Sequence, residues 1–431
     1  MRPSARLQAA ITIVDDIQKH HRPAATALTD WGRSHRFAGS GDRSAIGTLV
    51  YDALRARGSS AYFMGLSDGR ALVLGGLREQ GIPLSDIAAM CDGTPHSPEP
   101  LTPEESRNLD HADTEGAADH VRGNFPEWLQ PSLSRVFGPR LVAETRAMAK
   151  RAPVDVRANA LKSNRDEVLA ALAPFAAAPC RYSPLGVRIP PPGSSARQPH
   201  LESEASHGRG WFEVQDEGSQ IAAAMAGVKP GDKVLDLCAG AGGKTLALAA
   251  AMANEGTLVA YDADKKNLRP IFDRLTRAGV TAVEVLDGGD TGGLRDRGNQ
   301  FDVVLADAPC SGSGTWRRRP DAKWRLKEPH LAARIEDQAK VLDMAARLVA
   351  PGGRLVYVTC SVLPEENTDQ IATFIAGHSQ FETVPYATAW RRTLPGDPPA
   401  SADGREDGLL LTPLSHGTDG FYIHVLRRTE E

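Results

Sequence analysis

Five short apolar runs at regular spacing from about Trp211 onward limit what this 431-residue chain can build. They are Lys233–Leu237, Thr257–Tyr261, Ala282–Leu286, Asp302–Ala306 and Leu355–Val358. Between them lie helix-length stretches with one apolar face, Lys244–Met252, Lys266–Ala278 and Leu331–Val349. Pro351-Gly352-Gly353 stops the last of these. Alternation of this kind predicts an open, largely parallel sheet covered on both faces, an α/β, Rossmann-like arrangement. Phe421–Val425, after a Gly-Thr-Asp-Gly turn, is expected to add an antiparallel strand at the end of that sheet.

The first half reads differently. Leu7, Ile11, Val14 and Ile17 share one helical face, as do Ile46, Leu49, Val50 and Leu54. The expected order is a helical domain over 1–75, a linker region over 76–122, a small α+β unit over 123–205 and the large α/β domain over 206–431. The stretch 91–118, rich in Pro, Thr, Ser and acids, reads as a long exposed connection. Glu127–Phe137 and Asp166–Leu172 read as helices, Val154–Ala160 as a strand, and Pro190 to Ser195 as a turn-rich break.

A net charge of −4 excludes a protein that coats nucleic acid through bulk positive charge, so an RNA partner requires a local basic patch. The five cysteines, Cys91, Cys180, Cys238, Cys310 and Cys360, are odd in number and widely spaced. That argues against a disulfide framework and against a CxxC metal site, and no metal is expected. Free thiols suit a reducing compartment. The apolar stretch near the N-terminus ends at Asp15-Asp16, which is no signal peptide, and no run is long enough for a membrane span. A cytoplasmic monomer is the expectation.

Val234-Leu235-Asp236-Leu237 leads into Cys238-Ala239-Gly240-Ala241-Gly242-Gly243-Lys244-Thr245 and then a helix. Small residues let backbone approach a ligand at a helix N-terminus. A P-loop is excluded because Cys238 stands where its first glycine belongs, and a dinucleotide fingerprint fails at Thr245. Asp262, closing the second strand, has the spacing of a ribose-binding acid, with a helix cap near Lys266 as the competing role. Asp307-Ala308-Pro309-Cys310 and Thr359-Cys360-Ser361 come after two strands. A single thiol there is usually a small buried hydrophobe. Two thiols at equivalent strand ends, one beside an acid, point to nucleophilic chemistry.

Three segments together carry a resemblance: 234–245, the Asp-Ala-Pro-Cys-Ser-Gly-Ser-Gly of 307–314, and Tyr-Val-Thr-Cys-Ser of 357–361 with Glu365-Glu366-Asn367 after it. With Val214–Gln220 upstream, the chain resembles the RNA cytosine-5 methyltransferase family, the Fmu/Sun group. The resemblance implies S-adenosylmethionine as methyl donor and an RNA cytosine as acceptor. A thiolate adding at carbon-6 makes carbon-5 nucleophilic enough to take the methyl group, after which a base removes the carbon-5 proton and the thiolate leaves. Cys360 is implied as nucleophile, and Cys310 as the thiol assisting proton removal and product release. Asp307 is implied to contact the base near the donor. Residues 238–244 and Asp262 are implied to hold the cofactor, with Asp287, or else Asp290, facing its adenine. Where the family usually carries Ala-Pro this chain has Gly240-Ala241, which leaves loop rigidity to be supplied otherwise.

Trp316–Lys327 places arginines, lysines and two indoles directly after the Pro-Cys motif, a pattern suited to phosphates and stacked bases; packing of the indoles inward is the competing reading. Residues 42–55 resemble the NusB-like domain of bacterial ribosomal members. That favours small-subunit ribosomal RNA as substrate over transfer RNA, and a non-catalytic ribosome-assembly factor is the contrasting possibility.

Overall fold

Apolar runs with β-branched residues become the strands of the computed structural model, which describes all residues except 192–198, 290 and 431. The chain divides into two compact units. One comprises Met1–Arg151 and Trp316–Leu326; the other comprises Ala152–Pro191, Pro199–Thr315 and Lys327–Glu431.

The first unit is helical. The helix Pro3–His20 buries Leu7, Ile11, Val14 and Ile17, and the helix Ser40–Arg55 buries Ile46, Val50 and Leu54 against it and against Gly69–Glu79. The expected exposed connection contains the helix Pro103–Asp110, whose Leu109 is buried. Its Thr, Pro and Glu are start signals: Thr102 Oγ1 accepts from Glu105 N at 3.1 Å and Glu105 Oε2 accepts from Thr102 N at 2.8 Å. The expected boundary at 122/123 also falls inside this unit. Buried Asn124 accepts from Ser59 N at 3.0 Å and donates to Ser59 Oγ at 3.1 Å.

The Trp316–Leu326 segment packs here too. Trp324 Nε1 donates to Leu54 O at 2.7 Å, and Arg55 Nη2 donates to Arg317 O at 2.7 Å. Trp316 is turned inward and Trp324 is half-buried, so the inward reading holds for one indole of the pair.

The second unit holds both sheets. A four-stranded antiparallel sheet, order β2-β3-β1-β4, is built from β1 (Val154–Ala158), β2 (Ala178–Pro179), β3 (Gly186–Ile189) and β4 (Phe212–Val214). It is tied to the large α/β region rather than separate from it. Asn159, 3% exposed, donates to both Gly210 O and Ala278 O at 2.8 Å. Part of the turn-rich break read at 190–195 lies outside the described residues.

The large sheet comprises β5 (Lys233–Asp236), β6 (Thr257–Ala260), β7 (Val283–Val285), β8 (Phe301–Asp307), β9 (Val349–Thr359), β10 (Phe381–Val384), β11 (Leu409–Leu411) and β12 (Phe421–Arg428). Its main order is β10-β12-β9-β8-β5-β6-β7, with β11 paired to β12. Strands β5 to β9 are mutually parallel. The expected antiparallel strand is β12, but it lies between β9 and β10 rather than at the edge. The helix expected over Lys266–Ala278 breaks into Lys265–Leu268 and Ile271–Ala278, because Pro270 supplies no N–H for a continuous helix.

The strand order reverses between β5 and β8, so the carboxyl ends of these neighbours bound the crevice where ligands of open α/β sheets bind. Losing the two Asn159 bonds leaves two carbonyls short of a partner. Asn159→Ala is therefore expected to lower stability by about 2–4 kcal/mol, read as an earlier urea midpoint of the full chain.

Candidate active site

The chain after β5 turns sharply because Gly240 and Gly242 take left-handed backbone angles, φ 52° and 84°. A Cβ on Gly242 would lie 2.5 Å from Ile271 Cγ1, so only glycine fits. The loop is tied from two sides. Gly240 N donates to Asp262 Oδ2 at 3.0 Å, and Arg274 Nη1 donates to Ala241 O at 2.7 Å while its other nitrogens bond Glu213. These ties supply the rigidity that a proline would otherwise contribute.

Asp262 is not the helix cap. Asp264 takes that role, accepting from Lys266 N at 2.9 Å. Asp262 Oδ1 instead accepts from Asp264 N and Asn267 Nδ2, which holds the carboxylate at the end of β6 beside the glycine loop. Asp287 is exposed two residues beyond β7, and Asp290 lies outside the described residues. Backbone bent towards a crevice, a half-exposed acid at the next strand end and a helix starting at Gly243 suit a nucleoside bearing a charged tail. These residues fit S-adenosylmethionine.

Cys238 is not a thiolate: burial, then the negative charges of Asp307, Asp262 and Asp236, pushes its thiol well up. Lys244 points away from the loop backbone. Its Nζ lies 2.6 Å from Asp307 Oδ2 and 5.3 Å from the centre of the Phe421 ring. The pair thus crosses from the start of one helix to the end of β8.

Both thiols come together, with Cys310 Sγ and Cys360 Sγ 3.4 Å apart. The hydrogen bond to Cys360 and then burial push Cys310 well up, helped by the charge of Glu366. Cys310 therefore keeps its proton and can donate it to the Cys360 sulfur. Asp307, at the carboxyl end of β8, precedes the Cys310 loop on the same strand.

A fully buried carboxylate holds the two cysteine loops. Glu366 accepts from Ser311 N at 2.7 Å, Ser311 Oγ at 2.5 Å, Ser361 Oγ at 2.5 Å and Gln338 Nε2 at 3.0 Å. Gln338 Nε2 also reaches Pro309 O at 3.0 Å. Asn367 adds a second clamp, accepting from Thr359 Oγ1 at 2.6 Å and donating to Ser361 O at 2.9 Å. Gly314 closes the first loop onto the second: its N donates to Cys360 O at 3.0 Å, and a Cβ would sit 2.1 Å from Gly420 O. In the sequence Glu366 and Asn367 stand out only as part of a motif, with no role attached, and Gln338 and Arg274 do not stand out at all. The partners of Gln338 and Arg274 are distant along the chain, so no local spacing marks those two.

A sequence model of the family described as 16S rRNA methyltransferase RsmB/F matches residues 223–427. The ribosomal RNA small subunit methyltransferase B of Sodalis glossinidius is 36% identical over 313 residues, 72% of this chain and 67% of that protein. The chain belongs to this family. Another relative of the same name, from Pseudomonas syringae pv. tomato, is 34% identical over 71% of this chain and 66% of its own length. Among solved structures, PH0851 aligns with TM-score 0.73 at 25% identity over 99% of both chains. A methyltransferase homolog from Pyrococcus horikoshii aligns with TM-score 0.57 at 27% identity, over 72% of this chain and 97% of its own. Within the matched residues, the glycine loop, the Pro-Cys loop and the Thr-Cys loop converge at the carboxyl ends of the sheet strands.

Glu366→Ala frees both cysteine loops and is expected to reduce methyl transfer by about 100-fold, since misplacement on the order of 1 Å has that effect; turnover at saturating donor and RNA checks it. Asp236, fully buried at the end of β5, is raised by burial to about 7 despite the Thr245 hydrogen bond. Its folded carboxyl keeps a proton that the unfolded one loses from about pH 4. Stability therefore falls as pH rises from about 4 to about 7. Asp236→Asn should flatten that part of the stability–pH curve measured by urea unfolding.

Proposed function

We propose that the chain methylates carbon-5 of a cytosine in small-subunit ribosomal RNA through a covalent adduct on Cys360. The observation that carries this reading is the 3.4 Å approach of two thiols at the carboxyl ends of the sheet, beside Asp307 and its Lys244 partner.

When bound, S-adenosylmethionine supplies an electrophilic methyl group. The chain's own residues prepare the acceptor. The target cytosine leaves its stack to reach the crevice. Cys360 Sγ adds to carbon-6, and the electron pair moves into the ring. The Lys244 ammonium offsets the charge gained there. Asp307, bonded to lysine through Oδ2, has its other oxygen for the exocyclic amine. After methyl transfer a base removes the carbon-5 proton with Cys310 assisting, and the electron pair left at carbon-5 expels Cys360 as its thiolate, which Cys310 can reprotonate across the 3.4 Å gap. The short gap between sulfurs lets a proton on one reach the other directly.

The retained pair of thiols favours catalysis over a purely scaffolding role in ribosome assembly. The bacterial relatives' names favour ribosomal over transfer RNA as substrate. A cytoplasmic monomer suits that substrate. No helix among the described residues is long and apolar enough to cross a membrane. Residues 238–244 and Asp262 are assigned to the donor, Asp287 to its adenine end.

Cys360→Ala is expected to abolish methyl transfer while leaving donor binding intact by calorimetry. Cys310→Ala is expected to leave protein and RNA covalently joined on a denaturing gel. Normal turnover by Cys360→Ala would remove it as nucleophile.

A further inference from the structure

The helix Pro320–Arg325 puts a lysine where burial is costly. Lys323 is 2% exposed, with its Nζ 4.9 Å from the centre of one Trp324 ring and 6.0 Å from that of Trp316. The Arg57 guanidinium stands 5.0 Å from the Trp324 ring centre. Among the described residues neither Lys323 nor Arg57 has a hydrogen-bond or ion-pair partner. The neighbouring acids are engaged elsewhere. Asp52 holds Arg151 and Arg55, and Asp321 holds Arg325 and the Ala24 N–H. Two cations therefore share one indole, and among the described residues neither has an ion-pair partner.

Physical chemistry disfavours that arrangement in the free protein. Desolvated cations ordinarily acquire an acid partner, and a cation–π contact is a small return for lost hydration. Burial, then the charges of Arg55 and Arg57, push Lys323 down to about 7; burial also lowers Arg57. What would relieve both is a compact anion with several acceptor oxygens. A phosphodiester has that charge and geometry, and arginine presents a matching fork of donors.

We propose that Arg57 and Lys323, beside the Trp324 indole, form a binding site for a backbone phosphate of the RNA substrate. The site rests on RNA being the substrate and names residues that would hold it. Trp324, half-buried, leaves part of its ring for an adjoining sugar or base. Trp316, turned inward, braces the lysine stem rather than stacking on RNA.

The test uses the full chain and a labelled small-subunit ribosomal RNA fragment, with affinity measured across a salt series. Lys323→Met keeps the side chain's length and removes the unpaired charge; Arg57→Gln is the independent second variant. Each is expected to weaken RNA binding by about tenfold, as for loss of one charged contact. Each should also flatten the slope of log affinity against log salt by ~0.7–0.9 for the lost phosphate contact. Lys323→Met should raise the melting temperature of the free protein, because burial of an uncompensated cation disappears. Wild-type affinity and slope in both variants would overturn the site while leaving RNA as the substrate. Loss of binding together with a lowered melting temperature in Lys323→Met would overturn it too, since that marks a structural lysine. Absence of RNA binding by the unaltered protein would defeat RNA as the substrate, and this site with it.

Discussion

The approach of the two thiols at the candidate site depends on one buried carboxylate. Glu366 has no exposed surface, and its oxygens take four hydrogen bonds from Ser311, Ser361 and Gln338. A buried acid is stable only if its polar atoms are hydrogen-bonded. That demand is the organising force. Ser311 comes directly after Cys310 and Ser361 directly after Cys360, so satisfying Glu366 brings the two thiols side by side. The Glu366 charge also helps to push the Cys310 thiol up.

The sheet supplies the remaining placement. Strands β5, β6, β8 and β9 run parallel, so their carboxyl ends gather at one edge, the glycine loop and Asp262 to one side of β5 and Asp307 with the cysteines on the other. Lys244 links the halves: it starts in the glycine loop and ends on Asp307. The glycine loop and the end of β8 are thus joined through one ion pair whose lysine is buried and whose acid is half-exposed.

Much of this is legible in the sequence, for identifiable reasons. Period-two and continuous apolar runs mark β5 to β9 because both faces of the sheet are covered. Proline marks the split at Pro270 only once its lost N–H is weighed against the apolar face that spans it. The helix Pro103–Asp110 is hidden by composition, since the residues that cap it are those that also fill loops. Strand β10 is short and only Phe381 in it is buried, so no pattern announces it. The clamp of Glu366 on Gln338 and Ser311 joins residues 28 and 55 positions apart, contacts that no local window contains. Trp316 illustrates the converse: a basic, aromatic stretch looks like a surface for RNA, yet one indole is core.

The most direct measurement is to trap the enzyme on small-subunit ribosomal RNA carrying 5-fluorocytosine, in the presence of S-adenosylmethionine, and to map the modified peptide by mass spectrometry. Fluorine at carbon-5 blocks the final proton removal, so the attacking sulfur stays bound to the ring. An adduct on the peptide containing Cys360 is the predicted result. An adduct on Cys310, or methylated RNA released with no adduct on either thiol, would contradict the assignment.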